Sequence, residues 1–195
     1  GVVRFLKANG EKYHIDPERI GALGNSAGGC LASMLAFSSK CEALEGDVGG
    51  NLEYDSSIKA AAIFYAPADL CQSIRTSAAA LSGPPKDLTG TEIENVGNDK
   101  ANIIPALIVG YPGRSLHTLN QVLESNDPSH PDWHFIELTK LCSPITHVSA
   151  DCPPVVIFQG ARDQIVDPEQ SELLYHALAK AGADATFVAY SGGGH

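Results

Sequence analysis

Apolar positions along the chain follow two patterns, one with a helical period near 3.6 and one of short unbroken runs of strand length. Val2, Phe5, Leu6 and Tyr13 fall near one face of an opening amphipathic helix, with turns at Asn9-Gly10 and Asp16-Pro17. Arg19 to Gly24 reads as a short buried strand. Ala27 to Phe37 reads as a helix whose apolar face is Ala27, Cys30, Leu31, Met34 and Leu35. Residues 38–57 are polar and Gly-rich, a loop around Gly49-Gly50-Asn51. Ile58 to Ala66 is a continuous apolar run closed by Pro67, the pattern of a strand covered on both faces.

The same alternation resumes late in the chain. Pro154 to Gln159 predicts a buried strand ending at Gly160. The next helix carries Asp167 as N-cap, Pro168 at N1 and Gln170 at N3, a capping box. Leu173, Leu174, Ala177, Leu178 and Ala181 form its apolar face and Gly182 ends it. Asp184 to Tyr190 is the last strand. Strands alternating with helices of this length predict right-handed crossovers and a mostly parallel sheet, an α/β fold.

Residues 68–150 break that rhythm. They hold Pro84-Pro85, Pro105, Pro112, Pro128 and Pro131, with helical patterns at Leu116/Leu119/Leu123 and Phe135/Leu138. A connection this long is expected to be a cap-like insertion of helices and loops. The predicted organisation is one domain: residues 1–67 and 151–195 form the core, and 68–150 the insertion.

Composition narrows the function classes. The chain has 195 residues and a formal net charge of -10, with its 13 Lys and Arg dispersed. That pattern disfavours a nucleic-acid partner, which needs clustered cations to neutralise phosphates. No apolar run reaches the ~18 to 20 residues of a membrane helix, so no membrane partner is expected. The five cysteines, Cys30, Cys41, Cys71, Cys142 and Cys152, show no CxxC spacing. Reduced thiols are the expectation, with a Cys71–Cys142 pair as the lesser alternative. The chain opens directly into its first helix with no signal peptide, and its abrupt ends suggest a piece of something longer.

The sharpest motif is Gly24-Asn25-Ser26-Ala27-Gly28, a G-x-S-x-G between a predicted strand and a predicted helix. In that context the serine sits on a strained turn that lifts its hydroxyl clear of the sheet, and the flanking glycines relieve crowding. The helix N-terminus behind it favours developing negative charge. Such a nucleophile needs an acid and a histidine later in the chain. Asp163 and Asp167 both follow the strand at 154–159; the capping role of Asp167 favours Asp163 as the acid, with Asp167 the alternative. His195 follows the last strand through Gly192-Gly193-Gly194 and is the candidate base. His147 and His176 read as surface or insertion residues. His130 and His134 have i, i+4 spacing, but Pro131 and the lack of a Glu argue against a zinc site. The backbone N–H of Ala27 is one candidate oxyanion donor; no second donor is found.

Taken together, Ile15-Asp-Pro-Glu-Arg-Ile20, Gly24-Asn-Ser-Ala-Gly-Gly29, Gly49-Gly-Asn-Leu52, Phe64-Tyr-Ala-Pro-Ala-Asp69, Ser143-Pro-Ile-Thr-His-Val148 and Asp163-Gln-Ile-Val-Asp-Pro-Glu-Gln-Ser171 resemble bacterial α/β-hydrolase esterases of the acetyl-xylan and feruloyl esterase-like group. The resemblance implies a serine carboxylesterase acting on short acyl esters, possible acetyl or feruloyl groups on polysaccharide included, with no metal or organic cofactor. It also implies an eight-stranded sheet, of which this chain accounts for the last four strands. The early strands and the His-Gly-Gly oxyanion loop have no counterpart, so the chain alone is expected to be a poor esterase. Relatives often carry a His at the position of Gln159. The same fold and residue order serve prolyl-oligopeptidase-like peptidases, and an inactive fragment of the fold is a further alternative.

Overall fold

The structure is a computed structural model that describes residues 1–80 and 116–195. Pro84, Pro85, Pro105 and Pro112 lie outside the described residues. The chain divides into two compact units, one of residues 1–68 and 144–195, the other of residues 69–143.

The first unit is built on four parallel strands in the order β1-β2-β3-β4: β1 Ala22–Asn25, β2 Ala61–Phe64, β3 Val155–Gly160 and β4 Ala185–Tyr190. The register pairs Gly24 with Ile63, Ile63 with Ile157, and Ile157 with Phe187. Among the described strands, β1 pairs with β2 alone. The Ile58–Ala66 run yields a strand of four residues. Its Ala61 and Ile63 are buried, whereas Ala62 and Phe64 are half-buried. Coverage on both faces, expected from the unbroken apolar run, is therefore not observed. The predicted strand at 19–24 is displaced toward the serine, because Asp16 caps a 3-10 turn over Pro17–Arg19 and the chain extends only afterwards.

Helices α1 Val2–Ala8, α2 Gly10–Tyr13, α3 Ala27–Phe37 and α4 Glu42–Glu45 precede β2. The core joins Ala36 and Phe37 of α3 to Ala61, Ile63, Val155 and Ile157 of the sheet. The predicted apolar face of α3 is rotated. Gly29, Cys30, Ser33, Ala36 and Phe37 are buried, while Ala27 and Leu31 are exposed. Small residues face the strands because the helix approaches them closely: a Cβ on Gly29 would lie 2.8 Å from Ala66 Cβ.

The opening helix departs from its pattern in the same way. Val2, Phe5 and Tyr13 are exposed, and the buried face is Val3, Arg4 and Lys7. Buried cations require partners. Arg4, 1% exposed, pairs with Glu45 and donates to the carbonyls of Val48 (3.0 Å) and Gly50 (3.1 Å). Lys7 donates to Asp55 at 2.7 Å, and that contact with the Ser57 hydroxyl holds the Asp55 carboxyl below the usual carboxylate range. The two cations thus moor the 42–57 segment to α1.

The second unit packs α5 Leu70–Ala80, α6 Leu116–Ser125 and α7 Trp133–Leu141 around Ile74, Leu119, Val122 and Ile136. Leu116, Leu119 and Leu123 are buried as their spacing predicts. On α7 the buried face is Trp133, Ile136 and Thr139 rather than Phe135 and Leu138. Cys71 lies within α5, and none of the five cysteines is joined in a disulfide. No helix among the described residues is long and apolar enough to cross a membrane.

Arg4→Met should remove three charge-assisted hydrogen bonds and cost about 2 to 3 kcal/mol of unfolding free energy, read from urea denaturation. A loss below about 0.5 kcal/mol would contradict the mooring role.

Candidate active site

Ser26 is the single residue between β1 and α3. Its backbone has φ 52° and ψ -124°, a conformation that a residue with a Cβ rarely adopts. Two backbone bonds hold it there: Ser26 N–H donates to the Phe64 carbonyl at 2.9 Å, and its own carbonyl accepts from Cys30 at 3.0 Å. A serine at a helix start ordinarily turns its hydroxyl onto a free amide of the first turn. Ser26 makes no such bond; its Oγ stands 2.9 Å from His195 Nε2.

The turn is tight on one side only. A Cβ on Gly24 would run into the Gly28 carbonyl and lie 2.8 Å from Gly29 N, so glycine is required there. A Cβ on Gly28 would meet only Asn25 Oδ1, at 3.9 Å. The expectation that both glycines relieve crowding is corrected: Gly28 supplies the carbonyl that Gly24 must avoid. Ala27 opens α3, and its N–H belongs to the first turn, whose amides have no acceptor within the helix.

Asp163 follows β3 by three residues and is 7% exposed. Its Oδ1 accepts from the backbone N–H of Ile165 (2.8 Å) and Val166 (3.0 Å); its Oδ2 accepts from Gln159 Nε2 (3.3 Å) and lies 2.8 Å from His195 Nδ1. Burial pushes the carboxyl pKa up, but the hydrogen bonds from His195, Ile165 and Val166 outweigh it and hold the group below its ordinary value. Asp163 is therefore a charged acceptor at neutral pH. Gln159 is itself 1% exposed and is fixed by the Ser171 hydroxyl, which donates to its Oε1 at 2.7 Å. Pattern reading passed over this support, although a Gln at the end of a buried strand is a signal that it has a partner.

His195 is brought in by a close backbone approach. Arg162 N–H donates to the Gly193 carbonyl at 2.8 Å, and Ala161 N–H to the Tyr190 carbonyl at 2.9 Å. The 193–194 segment lies directly over Gly160, where a Cβ would sit 2.6 Å from the Gly193 carbonyl oxygen. With Nδ1 at Asp163 and Nε2 at Ser26, the imidazole bridges an acid and a hydroxyl in one line of hydrogen bonds. Such a line can draw a proton from Ser26 as its oxygen attacks an electrophilic carbon.

The other candidates stand elsewhere. Asp167 accepts from Glu169 N–H at 3.0 Å ahead of α8 Glu169–Ala181. The capping box is not formed, because the helix starts at Glu169 and the Gln170 side chain accepts from Ala68 N–H at 2.9 Å instead. His130 accepts from Asp132 N–H at 3.0 Å, His134 lies 3.2 Å from the Pro131 carbonyl, and His176 is exposed on α8. His147 belongs to the 3-10 turn Pro144–His147. Among the described residues no three His, Cys, Asp or Glu side chains gather in a way that could hold a metal ion.

The BD-FAE family model matches residues 1–110 and 129–178. The chain belongs to the BD-FAE family. This BD-FAE chain is 26% identical over 181 residues to "Esterase LipQ" of Mycobacterium tuberculosis (strain ATCC 25618 / H37Rv), which covers 93% of the chain and 33% of that protein. It is similar to a solved "Truncated form of carbohydrate esterase from gut microbiota", with TM-score 0.69 and 27% identity, over 100% of the chain and 58% of that one. An acetyl ester-xyloside bifunctional hydrolase from Caldicellulosiruptor lactoaceticus shares the fold, with TM-score 0.61 and 22% identity over 100% and 54% of the two chains. The fold is that of the α/β-hydrolase esterases. The chain spans about a third of the curated relative's length and somewhat more than half of these solved chains.

Gly160→Ala should force the 193–194 segment off its seat and cost about 1 to 3 kcal/mol in chemical denaturation. Gly192→Ala adds a Cβ into open space and should change stability by less than about 0.5 kcal/mol. Equal effects at both positions would contradict the close-approach account.

Proposed function

We propose that the protein carrying this chain is a serine carboxylesterase that hydrolyses short acyl esters through an acyl-enzyme. The observation that supports this most is the continuous line from Ser26 Oγ through His195 to Asp163, at 2.9 and 2.8 Å, on a strained turn at a helix start. Ser26 Oγ bonds to the ester carbonyl carbon as its proton passes to His195 Nε2, and the carbonyl electron pair moves onto oxygen. The Ala27 N–H at the start of α3 is suited to receive that oxyanion. Collapse expels the alcohol, which takes the proton from Nε2. Water, deprotonated by His195, then attacks the acyl carbon and frees the acid and Ser26. Asp163, ionised and held by Ile165, Val166 and Gln159, keeps Nδ1 protonated so that Nε2 faces the serine.

The substrate class rests on kinship. A solved relative described as a carbohydrate esterase supports carbohydrate esters as the substrate class, and the resemblance extends the proposal to acetyl or feruloyl groups on polysaccharide. Residues 68–150 are proposed to be the cap-like insertion, of which residues 69–143 form the second unit.

In the active protein, Ser26→Ala should abolish hydrolysis of p-nitrophenyl acetate, a loss on the order of 10⁶-fold in kcat, with the melting temperature unchanged. Asp163→Asn should lower kcat by roughly 10⁴-fold, while Asp167→Asn should cost about 1 kcal/mol of stability or less and leave turnover intact. Activity of Ser26→Ala above about a tenth of the parent's, or a kinetic loss at Asp167 rather than Asp163, would overturn the assignment.

A further inference from the structure

We infer that Tyr65 is a positioning residue for His195 and an aromatic neighbour to the cation formed when His195 takes the serine proton. The inference rests on the esterase reading above. Tyr65 follows the last residue of β2 and has φ 39°, in the left-handed region that an aromatic residue rarely enters. Its environment enforces that turn. Tyr65 N–H donates to the Phe158 carbonyl at 2.7 Å, continuing the ladder to β3, and Phe64 carbonyl accepts from Ser26. Immediately beyond, Ala66 is pressed against Gly29 of α3. The backbone is pinned on both sides of Tyr65, so its side chain is aimed by the fold rather than by its own preference.

That aim brings the Tyr65 ring against His195, with centroids 4.5 Å apart and planes inclined by 56°. The phenol oxygen also accepts a long hydrogen bond from Asn25 Nδ2 at 3.4 Å, which joins the ring to the residue just before the nucleophile. Ser26 and Asp163 grip the imidazole only along its edge, through Nε2 and Nδ1. Two bonds along an edge leave the ring's faces without a partner from Ser26 or Asp163, and the Tyr65 ring packs against the imidazole there. A ring of this kind within about 6 Å also attracts a cation such as the imidazolium formed during attack. The groups that face His195 from the packed segments are the Asp163 carboxylate, the Ser26 hydroxyl and the Tyr65 phenol.

The test uses ring-less and ring-keeping variants of the active protein, with p-nitrophenyl acetate as substrate. Tyr65→Asn keeps a residue that tolerates left-handed backbone and removes the ring; Tyr65→Gly does the same and serves if the Asn variant fails to fold. The ring-less variant should lose about 10²-fold in kcat with KM changed by less than about threefold. Tyr65→Phe should restore most of kcat. A ring-less variant with kcat within about threefold of the parent would overturn the inference, as would a Phe variant as impaired as the ring-less one. Ser26→Ala, measured alongside, separates the two readings: if it abolishes turnover while Tyr65 proves dispensable, only the present inference fails.

Discussion

A carboxylate taken out of water must be paired or it stays protonated, and that constraint organises one edge of this sheet. Asp163 is met by two backbone amides of its own loop, by Gln159 from the strand below and by His195 from the far side. Each donor fixes something else. The Ile165 and Val166 amides set the loop that leads into α8. Gln159 is locked by Ser171 on α8, so helix and strand share one polar link inside an otherwise apolar contact. His195 is held where its second nitrogen can reach only what β1 and α3 present, and what they present is Ser26.

At the site, backbone strain falls where the chain is pinned. Ser26 and Tyr65 both have positive φ, and each lies at the end of a parallel strand with its neighbours hydrogen-bonded across the sheet. Costs of about 1 to 3 kcal/mol per such residue are sustained because the surrounding ladder leaves no relaxed alternative. Gly24 and Gly160 make room for this by letting backbone lie where a Cβ would intrude. Side-chain chemistry at one sheet edge therefore rests on two glycines, one beneath each incoming segment.

Much of this was legible in the sequence where its cause is local. A nucleophile turn needs only five consecutive residues and a strand and helix on either side, so Gly24–Gly28 stood out. The sequence sets Asp167 aside for a capping box that the structure does not form, and the structure puts Asp163 rather than Asp167 beside His195. What escaped notice depends on partners distant in sequence. Arg4 and Lys7 sit inward because Glu45 and Asp55 await them some forty or more residues away, and no periodicity reports that. Leu31 faces outward, and the first turn of α3 meets β2 with Gly29, where a Cβ would lie 2.8 Å from Ala66. Tyr65 lies in a stretch that carries the resemblance and Gln159 at a position where relatives differ, but neither has a role legible there; their placement emerges only once β2, β3 and the closing loop are side by side.

The central claim is that this packing makes Ser26 reactive through His195. Its most direct measurement is the rate of covalent phosphorylation by a fluorophosphonate, with the modified peptide mapped by mass spectrometry. The account predicts a single adduct on Ser26, formed at least about 10³-fold more slowly in His195→Ala. An adduct elsewhere, or a Ser26 that reacts equally fast without His195, would contradict it.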